Sequence, residues 1–284
     1  MMNGTGEIDV NLDRRIKELQ EAPARWWAGE AEVVRVYFSR SRTKQDDIRW
    51  LTLQAARELG TASRQLGEAP EMFEGIDASV DRHEFEAAIR SIYEEVRHYR
   101  LLADIIEQLT GQRVNPKQLL PYAGTGKERV GHPELPAMTE EIAVAKRLRE
   151  QYGELAETAL SFFEGGGAAI FYSGSRVLEY PYVSYSGGEI ERKIAAAMKV
   201  IFEDEMRHGP VHIPRAAGKI RSDQDFLQAK EIIEEKAKAH LRLRNETFGY
   251  PLTERRMEEI DAGIGIEPLP VDYLGVSPVS PYSA

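Results

Sequence analysis

Residues 202–210 read FEDEMRHGP and close a segment that otherwise has the pattern of a buried helix. Ile194 and Ile201 recur at the spacing of one helix face. Glu205 and His208 continue the same stripe, where apolar side chains would be expected. Because burial of an unpaired charge costs several kcal/mol, the pattern predicts that these two side chains are neutralised, paired or coordinated inside the protein.

The bulk composition is ordinary for a globular chain that folds in water. The 284 residues are 42% hydrophobic and 30% charged, which allows a sizeable core in one large domain or two modest ones. The net charge of −10 argues against nucleic acid as a partner, because phosphate binding needs clustered Lys and Arg. No run of about 18 apolar residues occurs, and the first residues lack the apolar core of a signal peptide. We therefore expect no membrane partner.

The lack of cysteine excludes several kinds of site. Disulfides, thiolate zinc sites, iron–sulfur clusters and a rubredoxin-type module all need cysteine, and the chain has none. This composition is typical of a reducing compartment, so we expect a cytoplasmic location.

Apolar periodicity predicts an all-α fold. Helices are predicted at residues 11–21, 28–40, 45–67, 81–111, 139–172, 189–208, 222–246 and 252–261. Residues 112–137 and 173–188 have the composition of loops, and residues 263–284 that of an extended tail. No strand-rich segments alternate with the helices, which favours a helical bundle over a doubly wound sheet.

Residues with known helix-end preferences set the predicted limits of these helices. Gly67 is predicted to end the third helix, and Asp81 is predicted to cap the start of the fourth, which runs to Gly111. The pair Gly209–Pro210 predicts the end of the sixth helix.

These limits predict three parts of the chain. Residues 45–210 form a four-helix bundle, residues 1–44 contribute flanking helices, and residues 211–284 add helices and a tail on the same domain. The strongly charged helix 222–246 is predicted to be a solvated packing helix or a dimer element. Three histidines lack any partner pattern and are predicted to lie at the surface: His83, His132 and His240.

Two matching motifs lie on the fourth and sixth helices. The stretches EEVRH and DEMRH both have the form acid-Glu-x-Arg-His, and they contain the units Glu95/His98 and Glu205/His208. A separation of three residues corresponds to about 300° of helical rotation, so both side chains of each unit lie on one face. Both units fall on apolar stripes rather than on solvated faces. The pattern therefore predicts a metal site inside the bundle.

Such a site needs further carboxylates from the two partner helices. Glu58 interrupts the apolar stripe of the third helix, and Glu164 lies on an apolar face of the fifth, where Glu157 is the alternative. Glu58 precedes Glu95 by 37 residues, and Glu164 precedes Glu205 by 41 residues. The similar spacings suggest two repeated helix pairs.

With these residues the sequence resembles the ferritin-like diiron-carboxylate superfamily, over about residues 45–210. The Glu-x-Arg-His form with a preceding acid is similar to the O2-activating branch, which includes acyl-carrier-protein desaturases and multicomponent monooxygenase hydroxylases. The resemblance implies a ferritin-like four-helix bundle with additional N- and C-terminal helices.

The resemblance also implies a ligand set for two metal ions. Glu95 and Glu205 would bridge the ions, while Glu58 and Glu164 would bind one ion each. Four carboxylates nearly cancel the charge of two divalent cations, and this ligand type suits two Fe ions, with Mn or a mixed Mn/Fe pair as alternatives.

The histidines would complete that set. His98 and His208 would bind one ion each and form a hydrogen bond with a nearby acid, for which Asp204 and Glu94 are suitably placed. Two arginines are expected either to pair with these acids across the bundle or to lie at the surface: Arg97 and Arg207.

The function implied by the resemblance is that of an O2-dependent non-haem diiron oxidase or oxygenase. It would hydroxylate, desaturate or N-oxidise a small or acyl-type organic substrate. A ferroxidase or metal-storage protein and a peroxide-removing di-manganese or diiron enzyme remain alternatives, as does a bundle with a vestigial site. No Gly-rich nucleotide fingerprint follows a predicted strand, so electrons would come from a separate reductase or ferredoxin. A homodimer is expected from the general prevalence of two-fold assemblies.

Overall fold

The computed structural model describes residues 10–123, 131–161, 168–217 and 219–269, and within these ranges the chain is helical and contains no β-sheet. The predicted all-α fold is confirmed. No helix in the described ranges is both long and apolar enough to cross a lipid bilayer. The helices are α1 (Val10–Glu21), α2 (Ala24–Ser39), α3 (Lys44–Glu74), α4 (Arg82–Thr110), α5 (Pro116–Ala123), α6 (Pro136–Tyr152), α7 (Glu154–Ser161), α8 (Ala168–Ser175), α9 (Glu189–Ala217), α10 (Asp223–Thr247) and α11 (Glu254–Asp261).

The long helices α3 and α4 form a hairpin whose ends are fixed by local hydrogen bonds. At the start of α3, the Thr43 side chain accepts from the Asp46 amide, and the Asp46 carboxylate accepts from the Thr43 amide. The Asp81 carboxylate accepts from the amide of His83 at 2.8 Å and begins α4. Gly111 ends α4 in the left-handed conformation, with φ 71°. The predicted cap at Asp81 and end at Gly111 are therefore confirmed.

The remaining helices pack around this hairpin. Helix α4 contacts α3 and α9, α9 contacts α8, and α8 contacts α2. Helix α10 contacts α2, α6 and α7. One apolar core joins α2, α3, α4, α8, α9 and α10, while buried apolar residues of α6 and α7 belong to smaller clusters. The fully buried members of the main core include Phe38, Trp50, Leu51, Leu102, Ile170, Ile194, Met198 and Leu241. As a result, the inward faces of α3, α4 and α9 meet in the interior.

Helix α3 continues beyond its predicted end at Gly67, as far as Glu74. A glycine inside a helix costs only about 1 kcal/mol, which the neighbouring turns tolerate. Pro70 also lies inside α3 and leaves the carbonyl of Leu66 without its helical donor. The Leu66 side chain is exposed, so water can reach that carbonyl.

The extra length of α3 makes a projecting arm. Buried residues in α3 end at Ala62, and those in α4 begin at Ile92. None of residues 63–91 is buried. These residues, here called the hairpin arm, therefore extend beyond the bundle.

Helix α9 also passes its predicted end. It continues through Gly209–Pro210 to Ala217, so the predicted bundle limit at 210 falls inside a helix. A proline removes one backbone hydrogen bond but does not end a helix when the turns on both sides keep helical geometry.

The predicted fifth helix, 139–172, is divided. Gly153 separates α6 from α7 with φ 55°, in a conformation that side chains other than glycine rarely adopt. Helix α8 begins at Ala168. The apolar pattern continues across Gly153, so the sequence did not indicate this break. In addition, the loop predicted at 112–137 contains the short helix α5.

Helix α10 is buried rather than solvated, which corrects its predicted role. Its apolar residues include Ile232, Ile233 and Leu241, all 0% exposed. Three cationic or titratable residues at intervals of four lie on its buried face: Lys236, His240 and Arg244. They reach acids on neighbouring helices, which is why a charged sequence can occupy the interior.

A buried carboxylate ties α2, α3 and the segment before α9 together. Asp47 is 0% exposed and accepts hydrogen bonds from the hydroxyls of Tyr37 and Tyr185, both at 2.8 Å. It also accepts from the Trp50 indole at 3.0 Å and from the Arg42 guanidinium at 3.2 Å. Four donors from different parts of the chain therefore converge on one side chain.

Replacement of Asp47 by alanine should destabilise the fold strongly. The change leaves four donors without their acceptor, three of them buried, and we expect the free energy of unfolding to fall by about 3–5 kcal/mol in urea titrations. Glu150→Ala is the matched control, because it removes an exposed partner of Lys146 and should cost less than about 1 kcal/mol. Equal losses in the two variants would contradict the central role of Asp47.

Candidate metal centre

Three helices bring four polar side chains together in the interior. Glu58 comes from α3, Glu95 and His98 from α4, and Glu205 from α9. Each offers one oxygen or nitrogen atom, and the four atoms lie within 4.8 Å of one another. Glu58, Glu95 and His98 are buried, and the Glu205 side chain is 13% exposed. The structure thus collects four of the six side chains that the sequence singled out.

Local sequence explains how these side chains reach the interior. Glu95 and His98 are three residues apart on one face of α4, as their spacing predicts. Glu58 lies between Ala55 and Ala62, which are 0% and 1% exposed. These small side chains leave room beside the carboxylate.

The orientation of His98 is informative. Its Nδ1 atom lies 3.5 Å from an oxygen of Glu58 and 3.8 Å from an oxygen of Glu205. That nitrogen is buried and makes no hydrogen bond. Two ligand atoms that each lie about 2.1 Å from one ion are separated by about 3–4 Å. A metal ion between these atoms would therefore satisfy the unpartnered nitrogen.

The other ring nitrogen is held by an acid. His98 Nε2–H donates to the Asp204 carboxylate at 3.0 Å, and Arg97 Nη1 donates to the same carboxylate at 3.3 Å. The predicted contacts of Asp204 with His98 and of Arg97 with Asp204 are confirmed. This bond fixes the orientation of the ring and leaves Nδ1 on the side of the Glu58 and Glu205 carboxylates.

Proximity of the carboxylates perturbs their protonation. Burial, and then the charges of Glu58 and Glu205, raise the pKa of Glu95 to about 11. Burial disfavours ionised Glu58 too, but its contacts with His98, Glu95 and Gln54 outweigh burial and lower its pKa. Without a metal, Glu95 therefore carries a proton and donates it to Glu58.

Burial and the neighbouring carboxylates have opposite effects on the pKa of His98. Burial alone would lower the pKa of the imidazole, but the neighbouring Glu58, Glu205 and Asp204 carboxylates raise it. The metal-free cluster thus retains protons at positions where a cation would otherwise balance the charge.

Two of the six predicted metal ligands lie outside the described residues. Glu164 lies outside the described residues, and the side chains of His208 and Arg207, although within α9, also lie outside them. The alternative to Glu164 is exposed, because Glu157 pairs with Arg149 on the surface at 2.7 Å. Binding by Glu164 and His208 stays a prediction.

A second set of contacts, on the α10 side of Glu58, was not predicted from the sequence. The Gln54 amide donates to Glu58 at 2.5 Å and accepts from Arg244 Nη1 at 2.8 Å. Arg244 Nε lies 3.8 Å from Glu30. The spacing of four residues between Gln54 and Glu58 places both on one face of α3, which was the available signal.

His240 belongs to this second set and is not at the surface as predicted. It is 4% exposed, its Nδ1 lies 2.7 Å from Glu30, and its Nε2 lies 3.3 Å from Arg57. Burial raises the pKa of Glu30 to about 8, although Arg244 and Arg57 oppose this shift. His83, in contrast, is exposed as predicted.

Comparison of the chain with protein-family models, curated proteins and solved structures gives no match. The resemblance to the ferritin-like superfamily therefore depends on the residues themselves. Two general features of that superfamily are present in the described residues: a helical fold, and a carboxylate–histidine cluster that could hold a metal ion.

Metal binding should compete with protons. An ion that binds Glu95 must displace its proton, since the pKa of about 11 keeps this carboxyl protonated at neutral pH. We therefore expect the apparent affinity for Mn²⁺ to weaken by about tenfold for each pH unit lowered between about pH 9 and pH 6, with proton release. Calorimetry in buffers of different ionisation enthalpy measures both quantities. Glu95→Gln cannot release this proton, so its slope should be flatter; a pH-independent affinity in the native chain would contradict the prediction.

Loss of the Gln54 contact should weaken metal binding without unfolding the bundle. Gln54→Ala removes the donor that orients Glu58, and we expect the affinity for Mn²⁺ to fall by about 10–100-fold. Gln65→Ala is the control on the same helix, because Gln65 bonds to Ser91 in the hairpin arm. An equal affinity in both variants would show that the Gln54 contact has no such role.

Proposed function

We propose that this chain is an O2-dependent oxidoreductase with a non-haem dimetal centre, a diiron oxidase or oxygenase. One observation carries the proposal: the buried Nδ1 of His98 makes no hydrogen bond and lies 3.5 and 3.8 Å from carboxylate oxygens of Glu58 and Glu205. A nitrogen placed in this way among carboxylate oxygens suits a metal ion.

The ligand types support iron or manganese. Glutamate oxygens and one imidazole are hard to borderline donors, which suit these ions better than copper or structural zinc. Three carboxylates within one buried cluster need retained protons or nearby positive charge, and divalent ions would supply that charge. With Glu164 and His208 added, the set would hold two ions.

Each protein group has a separate task in this proposal. Two ferrous ions would supply the electrons that O2 reduction needs. His98 would bind with its ring fixed by Asp204, and Gln54 orients Glu58. Glu95 would release its proton on metal binding and would then serve as a carboxylate ligand.

The partly exposed side of the cluster would admit the reactants. Glu205 is the most exposed of the four clustered side chains, which supports entry of O2 and substrate near α9. The substrate is proposed to be a small or acyl-type organic molecule that is hydroxylated, desaturated or N-oxidised. A separate reductase or ferredoxin would supply further electrons.

Iron loading under air separates this proposal from its alternatives. We expect the chain to retain about two irons and to consume O2 as ferrous iron is added. Accumulation of many irons per chain would instead indicate a ferroxidase or storage protein. Oxygen release from peroxide by the manganese form would indicate a peroxide-removing enzyme.

Variants in the cluster link that result to the named residues. His98→Ala and Glu205→Ala should lose bound iron and O2 consumption, while circular dichroism shows that most of the helix content is retained. His83→Ala is the control, because His83 is exposed at the start of α4, outside the cluster. Stoichiometric iron in Glu205→Ala would refute the ligand assignment.

A further inference from the structure

Helix α4 exposes an apolar stripe that nothing in the described part of the chain covers. Ile89, Tyr93 and Val96 are 44%, 66% and 44% exposed. They are spaced by four and three residues, which places them on one side of the helix. Together with the charged residues that continue this side, they form the outer face of α4: Arg82, Glu86, Ile89, Tyr93, Val96, Arg100 and Asp104.

The outer face lies behind the metal cluster. At about 100° per residue, Glu95 and His98 lie about 200° and 140° around the helix from Tyr93. The two sides of α4 thus have separate tasks, and contact at the outer face leaves the cluster undisturbed.

The charges of the outer face are arranged symmetrically about Tyr93 but with opposite signs. Glu86 precedes Tyr93 by seven residues, and Arg100 follows it by seven. Arg82 and Asp104 lie eleven residues before and after it. All four point within about 20° of the direction of Tyr93. If the helix is turned end for end about Tyr93, Glu86 therefore exchanges position with Arg100, and Arg82 exchanges position with Asp104.

The present partners of these charges are local and weak. Glu86 contacts Arg90 at 3.3 Å, Arg100 contacts Asp104 at 2.9 Å, and Arg82 contacts Asp77 at 2.9 Å. All six side chains are at least 53% exposed. Such exposed pairs contribute little stability, so their side chains are available for contacts with another surface.

We propose that the outer face of α4 is the two-fold interface between two copies of this chain, packed antiparallel with the axis near Tyr93. Tyr93 of one copy then packs against Tyr93 of the other, as an isologous contact requires, and Ile89 and Val96 lie beside it against Arg97 and Arg90 of the second copy. Glu86 of one copy faces Arg100 of the second, and Arg82 faces Asp104. Parallel packing would instead place like charges together, which is why the antiparallel arrangement is favoured.

A second copy fits this face better than an unrelated partner does. The complementary pattern lies within one helix, so two identical surfaces supply every opposite charge. Each chain carries a net charge of −10, and the proposed contacts offset the resulting repulsion at the point where the copies meet.

Sedimentation velocity of the full chain tests the proposal through a charge exchange. We expect the native chain to be a dimer, and Tyr93→Asp to raise the dimer dissociation constant by about tenfold or more. Glu86→Arg and Arg100→Glu should each weaken the dimer similarly, because each places like charges opposite one another. The double variant Glu86→Arg/Arg100→Glu should restore the affinity to within about threefold of native.

Controls keep the test decisive. Leu227→Asp changes another exposed apolar residue, 64% exposed on α10, and should leave the dimer unchanged. If Tyr93→Asp fails to fold by circular dichroism, the charge exchange alone decides. A monomeric native chain, a double variant as weak as the single ones, or an unchanged dimer in all variants would overturn the proposal. None of these results bears on iron binding, so the dimetal proposal stands or falls separately.

Discussion

Charge compensation inside the bundle is the constraint on which the candidate site depends. Glu58, Glu95 and Glu205 approach one another closely in a buried space, and His98 is the imidazole among them. Carboxylates that are so close cannot all ionise without a nearby cation or a retained proton. In the metal-free chain the proton on Glu95 meets this requirement, and an ion would meet it in the proposed enzyme.

Two polar networks hold this cluster from opposite sides. On the α9 side, Asp204 fixes the ring of His98 and is itself held by Arg97. On the α10 side, Arg244 holds Gln54, which in turn holds Glu58. Side chains fixed before a ligand arrives need little reorganisation to bind it. Arg244, a buried charged residue of α10, thus helps to position Glu58, which the overall hydropathy of this helix does not indicate.

Much of the site followed from the sequence because its signals are local. Two Glu-x-x-His units on apolar stripes indicate inward-facing ligands, and the Asp81 cap and Gly111 end fix α4 in register. The convergence of Glu58 with α4 and α9 required only that these helices pack together. Binding of a metal there, and the roles of Glu164 and His208, stay predictions.

The errors arose where tertiary contacts outweigh local preference. Gly67 and the Gly209–Pro210 pair weaken a helix by a limited amount, and the surrounding turns carry α3 and α9 past them. The sequence predicted a surface position for His240 because its partner, Glu30, is 210 residues away in the chain. No local pattern reports a pair at that separation, so the burial of α10 was visible only in the folded molecule.

The hydrogen bonds that converge on Asp47 lie about three turns from Glu58 along α3, or roughly 16 Å. They involve protein groups alone, and they fasten three segments without help from an ion. The chain can thus complete its folding before the proposed ions bind. Cellular supply and exchange would then decide which metal occupies the proposed site, so that mis-metallation rather than misfolding would be the hazard of such a protein.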